Sequence, residues 1–286
     1  MKPITAILVF VFILPAMLTT FSQADEALHI PQVGRKAIDS YQFDYLYAGK
    51  HRAFAIAPGG AWSWVSDKAT ETLAKESVLQ ACSKYTQQKC QLYDINGKQV
   101  FDQASWFKSW GPYQTPTQAQ KAEVGTRVGQ RFYDVSFTNV EGEKKSISDL
   151  RGKVVFVHFW GCWCPSCRYE FGTLIDKYRI LKSKHNSDIE LVVLQVRESI
   201  ETASNWAKEN KLTALPLSDS GVKSEEDNQL TLKDGSKILD RKLARVFPAS
   251  YVLDKNGVVV FSHMGSIKDW TEYVPFYSDV VARSNQ

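Results

Sequence analysis

Several things are scarce in this chain. Of 286 residues only five are cysteine and three methionine, and the formal net charge is +4. Five cysteines are too few for a disulfide scaffold, and the odd number leaves one without a partner. The small positive balance is spread along the chain, with no Lys/Arg cluster interleaved with aromatics, so nothing points to nucleic acid. No internal repeat is evident. A four-cysteine zinc site needs a second CxxC-like pair, and Cys82 and Cys90 do not supply one.

What is present is an ordinary soluble composition, 44% hydrophobic and 23% charged, in a chain long enough for one large or two modest domains. Lys2, the apolar stretch 4–18 and Ser22-Gln23-Ala24 have the layout of a signal peptide, residues 1–24, cleaved near Ala24. An apolar stretch of that length containing Pro15 is short for an anchor, so no stable membrane insertion is expected after cleavage. No cysteine follows to take a lipid. Export implies a compartment where structural disulfides persist, the periplasm in a Gram-negative cell.

Residues 35–110 read as a small α+β domain. After a polar lead-in, 53–57 and 61–65 flank Pro58-Gly59-Gly60 as a hairpin. Asp67 is placed to cap a helix over 68–85. Segments 90–95 and 98–101 pair across Asn96-Gly97. A Cys82–Cys90 disulfide would staple the helix end to the next strand, which small domains need; a metal or redox role for the pair lacks the redox turn. Trp62, Trp64, Trp106 and Trp110 read as core, with a partner surface as the alternative. Residues 111–124 read as a linker, and 125–286 as the second domain.

The chemistry gathers in Trp160-Gly161-Cys162-Trp163-Cys164-Pro165-Ser166-Cys167. An apolar run, 154–159, broken only by His158, leads in as a strand, and a helix is expected over 168–184. Cys164 then stands at the helix N-terminus, with Pro165 in the first turn, where its missing N–H is no loss. The helix dipole and unpaired N–H groups favour a thiolate there. Two intervening residues put Cys164 and Cys167 one turn apart, so their sulfurs can close a disulfide. A structural disulfide or half a zinc site is the plainer reading. Strand, sharp turn, CxxC and helix together favour redox exchange, with Cys164 attacking and Cys167 resolving.

The run KVVFVHFWGCWCPSCRYEF resembles the active-site region of thioredoxin-fold proteins, above all the extracytoplasmic thiol-disulfide interchange proteins of the TlpA/ResA type. The resemblance covers 125–286. It implies an α/β thioredoxin-like fold, a central mixed sheet with helices on both faces, preceded here by the small α+β domain. Along the segment we expect an opening hairpin (133–138 with 144–147), a central parallel strand at 189–196, a helix at 200–210 and a short strand near 215–217. A hairpin at 250–253 and 258–262 and a closing helix at 268–282 complete it. Residues 219–242 read as a solvated irregular insertion, with a recognition loop as the alternative.

By the same resemblance, Pro248 in FPASYVLD is a cis-proline facing the CxxC, with Phe247 and Trp163 meeting an extended substrate. Glu170 stands where ResA-like proteins carry a glutamate able to accept or return a proton; a solvated helix carboxylate is the alternative. His158 departs from the family's aspartate or asparagine. If cationic it favours the thiolate; if buried and neutral it relays a proton or fills space. Ser166 replaces a common proline, and because the dipeptide between the cysteines influences reduction potential, redox direction cannot simply be carried over; the resemblance alone favours reduction. Cys162 is the odd cysteine, either a thiol able to rearrange with the active disulfide or a small buried hydrophobe. A rival reading makes Cys162, Cys164 and Cys167, helped by His158 or His263, a Cu(I) nest in a copper-binding or copper-delivering protein. The favoured expectation is an exported thiol-disulfide oxidoreductase that reduces disulfides of other exported proteins, fed by an upstream redox donor, with no cofactor and no metal.

Overall fold

The computed structural model describes residues 28–284, apart from 87, 109, 213 and 214. The signal-peptide reading of residues 1–24 lies outside the described residues. Among those described, no helix is long and apolar enough to cross a membrane.

The first unit opens with α1 (Arg35–Phe43), then β1 (Ala53–Ile56), β2 (Trp62–Val65), α2 (Glu71–Ser83), β3 (Gln91–Ile95) and β4 (Lys98–Gln99). The strands form an antiparallel sheet in the order β2-β1-β3-β4. Strand alternation decides how β1 is used. Ala53 and Ala55 leave room for α2, meeting Ala74, Val78 and Cys82, whereas Phe54 and Ile56 face the aromatic side with Tyr41, Tyr45 and Tyr93. Buried Asp94 is satisfied there by the Tyr41 and Tyr45 hydroxyls and by the Gly97 N–H at 2.7 Å. Helix α2 starts later than read, because Thr70 caps it: its Oγ1 accepts the Leu73 N–H at 3.1 Å. Asp67 instead lies outside the helix at φ 55°. Cys82, in the last turn of α2, is disulfide-bonded to Cys90 just ahead of β3.

After α3 (Gln103–Trp106), the connection read as a linker carries a helix of its own, α4 (Pro116–Lys121), closed by a capping box between Thr115 and Gln118. The second unit follows as β5 (Ser136–Thr138), β6 (Lys144–Ser146), β7 (Val154–Trp160), α5 (Pro165–His185), β8 (Ile189–Gln195), α6 (Ile200–Glu209) and β9 (Leu217–Asp219). It continues with β10 (Gln229–Thr231), β11 (Lys237–Leu239), α7 (Asp240–Leu243), β12 (Ala249–Leu253), β13 (Val259–Met264) and α8 (Val274–Arg283). The seven-stranded mixed sheet runs β13-β12-β7-β8-β9-β5-β6, with β7, β8 and β9 parallel and the other pairings antiparallel. All of β7 is buried, as expected of a central strand whose sequence is apolar rather than alternating. This is a thioredoxin-like fold with a small α+β unit in front.

Two readings of this half are corrected. Residues 219–242 are not irregular: β10 and β11 pair around Asp234-Gly235, where Asp234 Oδ1 accepts the Ser236 N–H at 2.9 Å. The closing helix begins at Val274, not near 268, because Pro275 is tolerated only in a first turn; a 3-10 turn, Thr271–Tyr273, leads into it. The core is continuous between the units. Trp110 packs edge-on to Phe276 at 5.6 Å, Tyr113 donates to Asp279 at 2.6 Å, and the Tyr273 hydroxyl donates to the Gln32 carbonyl at 3.1 Å.

Candidate active site

Strand β7 delivers the chain to the carboxyl end of the parallel strands, and Gly161 follows it. A Cβ there would stand 2.1 Å from the Trp163 indole nitrogen, so the close approach of that ring needs glycine. The indole N–H donates to the Val196 carbonyl at 3.0 Å, which fixes Trp163 above the end of β8 with 43% of its surface exposed. Cys164 is the N-cap of α5, in extended backbone at φ −98° and ψ 108°, and its Sγ accepts the Cys167 N–H at 3.2 Å. Pro165 occupies the first turn. Cys164 and Cys167 are joined by a disulfide. Cys164 is 5% exposed and Cys167 not at all, so of the pair only Cys164 has any surface open to solvent.

The pairing of β12 with β7 brings up the second loop. Ala249 lies opposite Phe159 and Ser250 opposite His158, so the residues just before β12 reach the level of the cysteines. The Phe247–Pro248 peptide is cis. Ser166 Oγ lies 3.3 Å from Cys164 Sγ and donates to the Phe247 carbonyl at 3.3 Å. Trp163 and Phe247 meet edge to face at 5.3 Å, and the Arg241 guanidinium covers the Phe247 ring at 4.8 Å.

Below the cysteines lies a buried acid and base. Glu170, one turn beyond Cys167, accepts from the Ile267 N–H at 3.1 Å and from the Trp270 indole N–H at 3.2 Å. Burial raises its carboxyl to about 8, the two donors offsetting only part of the rise. It is therefore not the solvated carboxylate left open above. His158 Nδ1 is 2.9 Å from Ser250 Oγ and 3.9 Å from Glu170 Oε1. Desolvation lowers its imidazole to about 3, so at neutral pH His158 is uncharged and does not favour the thiolate by its charge.

Cys162 is neither inserted in the core nor loose. Its Sγ donates to Glu198 Oε2 at 2.5 Å, and its N–H to Glu198 Oε1 at 2.8 Å. Glu198 was not singled out in the sequence. The available signal was topological: residues after β8 must lie beside the loop after β7 once the two strands pair in parallel. Among the described residues, no group of three His, Cys, Asp or Glu side chains is arranged to hold a metal ion. With Cys164 and Cys167 bonded to each other and Cys162 on Glu198, the geometry lends the copper reading no support.

A helix-capping disulfide faced by a cis-proline on a mixed sheet defines a thioredoxin-like redox domain. Residues 128–262 match the model of the AhpC/TSA family. The chain is similar to "Thiol-disulfide oxidoreductase ResA" of Bacillus cereus, 28% identical over 139 residues, 49% of this chain and 70% of that protein. It is also similar to "Thioredoxin-like protein YneN" of Bacillus subtilis, 27% identical over 164 residues, 56% of this chain and 84% of the relative. Among solved structures, a secreted thiol-disulfide isomerase from Corynebacterium glutamicum aligns with a TM-score of 0.42 at 19% identity, covering 54% of this chain and 86% of its own. The second unit is similar to thioredoxin-like thiol-disulfide oxidoreductases of the ResA type.

Proposed function

We propose that the protein is exported, to the periplasm in a Gram-negative cell, and there reduces disulfides of other exported proteins through Cys164 and Cys167. The carrying observation is the difference in access within the pair, Cys164 reachable and Cys167 enclosed. In the reduced protein the Cys164 thiolate, favoured by the Cys167 N–H and the helix dipole, attacks one sulfur of a substrate disulfide. That forms a Cys164–substrate mixed disulfide and expels the other substrate sulfur as a thiolate. Cys167 then gives its proton to the carboxylate form of Glu170 and attacks Cys164 Sγ. The protein disulfide closes, the second substrate thiolate leaves, and two electrons have passed to the substrate. An upstream dithiol donor restores the pair. No bound cofactor enters, because the sulfurs carry the electrons.

Pro248 and the Phe247 backbone would align an extended substrate segment, with Trp163 along its flank. Export is supported by the sequence of residues 1–24 and by the Cys82–Cys90 bond, which lies apart from the site and would persist in an oxidising compartment. The reducing direction rests on the resemblance to the ResA type. We assign residues 35–110 to a structural unit stapled by Cys82–Cys90, 111–124 to its connection, and 125–286 to the redox domain.

Two measurements test this. Cys167→Ser should accumulate mixed disulfides with exported proteins and Cys164→Ser should not; the reverse pattern would overturn the assignment of nucleophile. The reduction potential of the whole mature protein should fall near that of thioredoxin, about −270 mV. A value near that of DsbA, about −120 mV, would reverse the direction.

A further inference from the structure

Val196, Arg197 and Glu198 leave β8 as a turn that grips both loops of the site. The Val196 N–H donates to the Trp160 carbonyl at 2.9 Å, and its own carbonyl takes the Trp163 indole. Arg197 adopts φ 61°, a left-handed conformation that a residue with a Cβ keeps only when its surroundings hold it. Its guanidinium bonds Asp240 at 2.6 and 3.0 Å and lies 5.5 Å from the Phe247 ring, on the cis-proline side. Glu198, 7% exposed, turns the other way and takes both the thiol and the backbone N–H of Cys162.

We propose that Glu198 is a positioning residue of the exchange site: its carboxylate holds Cys162 as a protonated thiol, so that of three cysteines within six residues only Cys164 and Cys167 exchange. This rests on the reading of Cys164–Cys167 as the redox pair. A free Cys162 thiolate would have a balanced side reaction open to it. Attack on Cys164 Sγ would form a Cys162–Cys164 bond and break Cys164–Cys167, expelling Cys167 as a thiolate without net oxidation. In a mixed disulfide the same attack would release the substrate early. Ionising the thiol beside Glu198 would set two negative charges 2.5 Å apart in a half-buried site. Burial first, then the bond to Glu198, pushes the Cys162 thiol up to about 12, against a smaller opposing pull from Arg168. Burial raises the Glu198 carboxyl as well, so the pair retains its proton.

Glu198→Gln keeps an acceptor for the Cys162 N–H but removes the charge. In the oxidised full chain at pH 8, iodoacetamide should label Cys162 at least about tenfold faster in Glu198→Gln than in the parent. Non-reducing peptide maps of the variant should show a Cys162–Cys164 bridge. Adding Cys162→Ala to Glu198→Gln should restore steady-state exchange, a rescue that a merely structural role for Glu198 would not produce. Equal labelling in parent and variant, or failure of the double variant to recover, would overturn the proposal. If Glu198→Gln does not fold, the parent decides alone: its Cys162 should label at least about tenfold more slowly than in the urea-unfolded chain, and equal rates would overturn the proposal. The labelling contrast reads the Glu198 contact whether or not substrates are trapped, so failure of the redox reading would show separately, in the trapping experiment.

Discussion

The two disulfides of the described residues occupy opposite ends of helices. Cys82 lies in the last turn of α2, where unpaired carbonyls oppose a thiolate; Cys164 caps the start of α5, where N–H groups favour one. Cys82 is enclosed among Ala53, Ala55, Ala74 and Val78. Cys164 keeps a small opening beside the cis-proline loop, with Ser166 Oγ at 3.3 Å. Under the proposed function, the same covalent bond holds in one place and opens in the other. Helix polarity and access make the difference.

The sharpest way to break that comparison is to remove the exchanging sulfur. Cys164→Ser should reduce turnover of a model disulfide to the background rate, whereas replacing Cys82 and Cys90 together by alanine should leave turnover within a few-fold at temperatures well below melting. The double replacement should instead lower the unfolding free energy by about 2–5 kcal/mol in a denaturant titration. Normal stability, or lost turnover in a folded Cys82/Cys90 variant, would show that the two bonds are not so divided.

Glu170 offers a pH test of intermediate size. Glu170→Gln should slow closure of the Cys164–Cys167 bond by up to about 100-fold, and should flatten the rise in that rate through about pH 8. Its stability signature has a definite sign. A carboxyl whose folded value is raised binds more protons folded than unfolded, so its contribution is full below the unfolded value and is lost as pH rises toward 8. The melting temperature of Glu170→Gln should therefore fall less than that of the parent between pH 5 and about 8. An identical slope would place the proton elsewhere.

His158 contributes the opposite slope at lower pH. Its folded value is depressed to about 3, so the native state binds fewer protons than the unfolded chain, and stability is lost as pH falls through the ordinary histidine range toward 3. His158→Asn should soften acid unfolding in that window, with little change in exchange at pH 7. The smallest effect belongs to Cys162→Ala, for which turnover should stay within a few-fold of the parent. A large loss would make Cys162 a participant rather than a bystander.

The chemical centre was legible because it is local. Pro165 after Cys164, two residues between the cysteines and an apolar strand before them determine turn, cap and helix within a dozen positions. The hairpin at Asn96-Gly97 was legible for the same reason, its turn residues accepting positive φ. What escaped depends on distant partners. The burial of Glu170 is set by Ile267 and Trp270, about a hundred residues away in sequence, and the charge state of His158 by enclosure in the sheet. Glu198 carries no motif, and its role follows from which strand neighbours which. The hairpin inside 219–242 was hidden by its polar composition, although Asp234-Gly235 marked the turn.

The segment from Ile267 to Arg283 serves two masters. On one side its backbone and Trp270 hold Glu170; on the other Glu272, Tyr273, Phe276 and Asp279 receive Gln32, Trp110 and Tyr113 of the first unit and its connection. A shortened chain lacking everything before residue 125 would expose that second side to water while keeping every cysteine of the active run. Such a fragment would keep the redox motif while losing the buttress behind its buried acid, and its pH profile should not be taken for that of the whole protein.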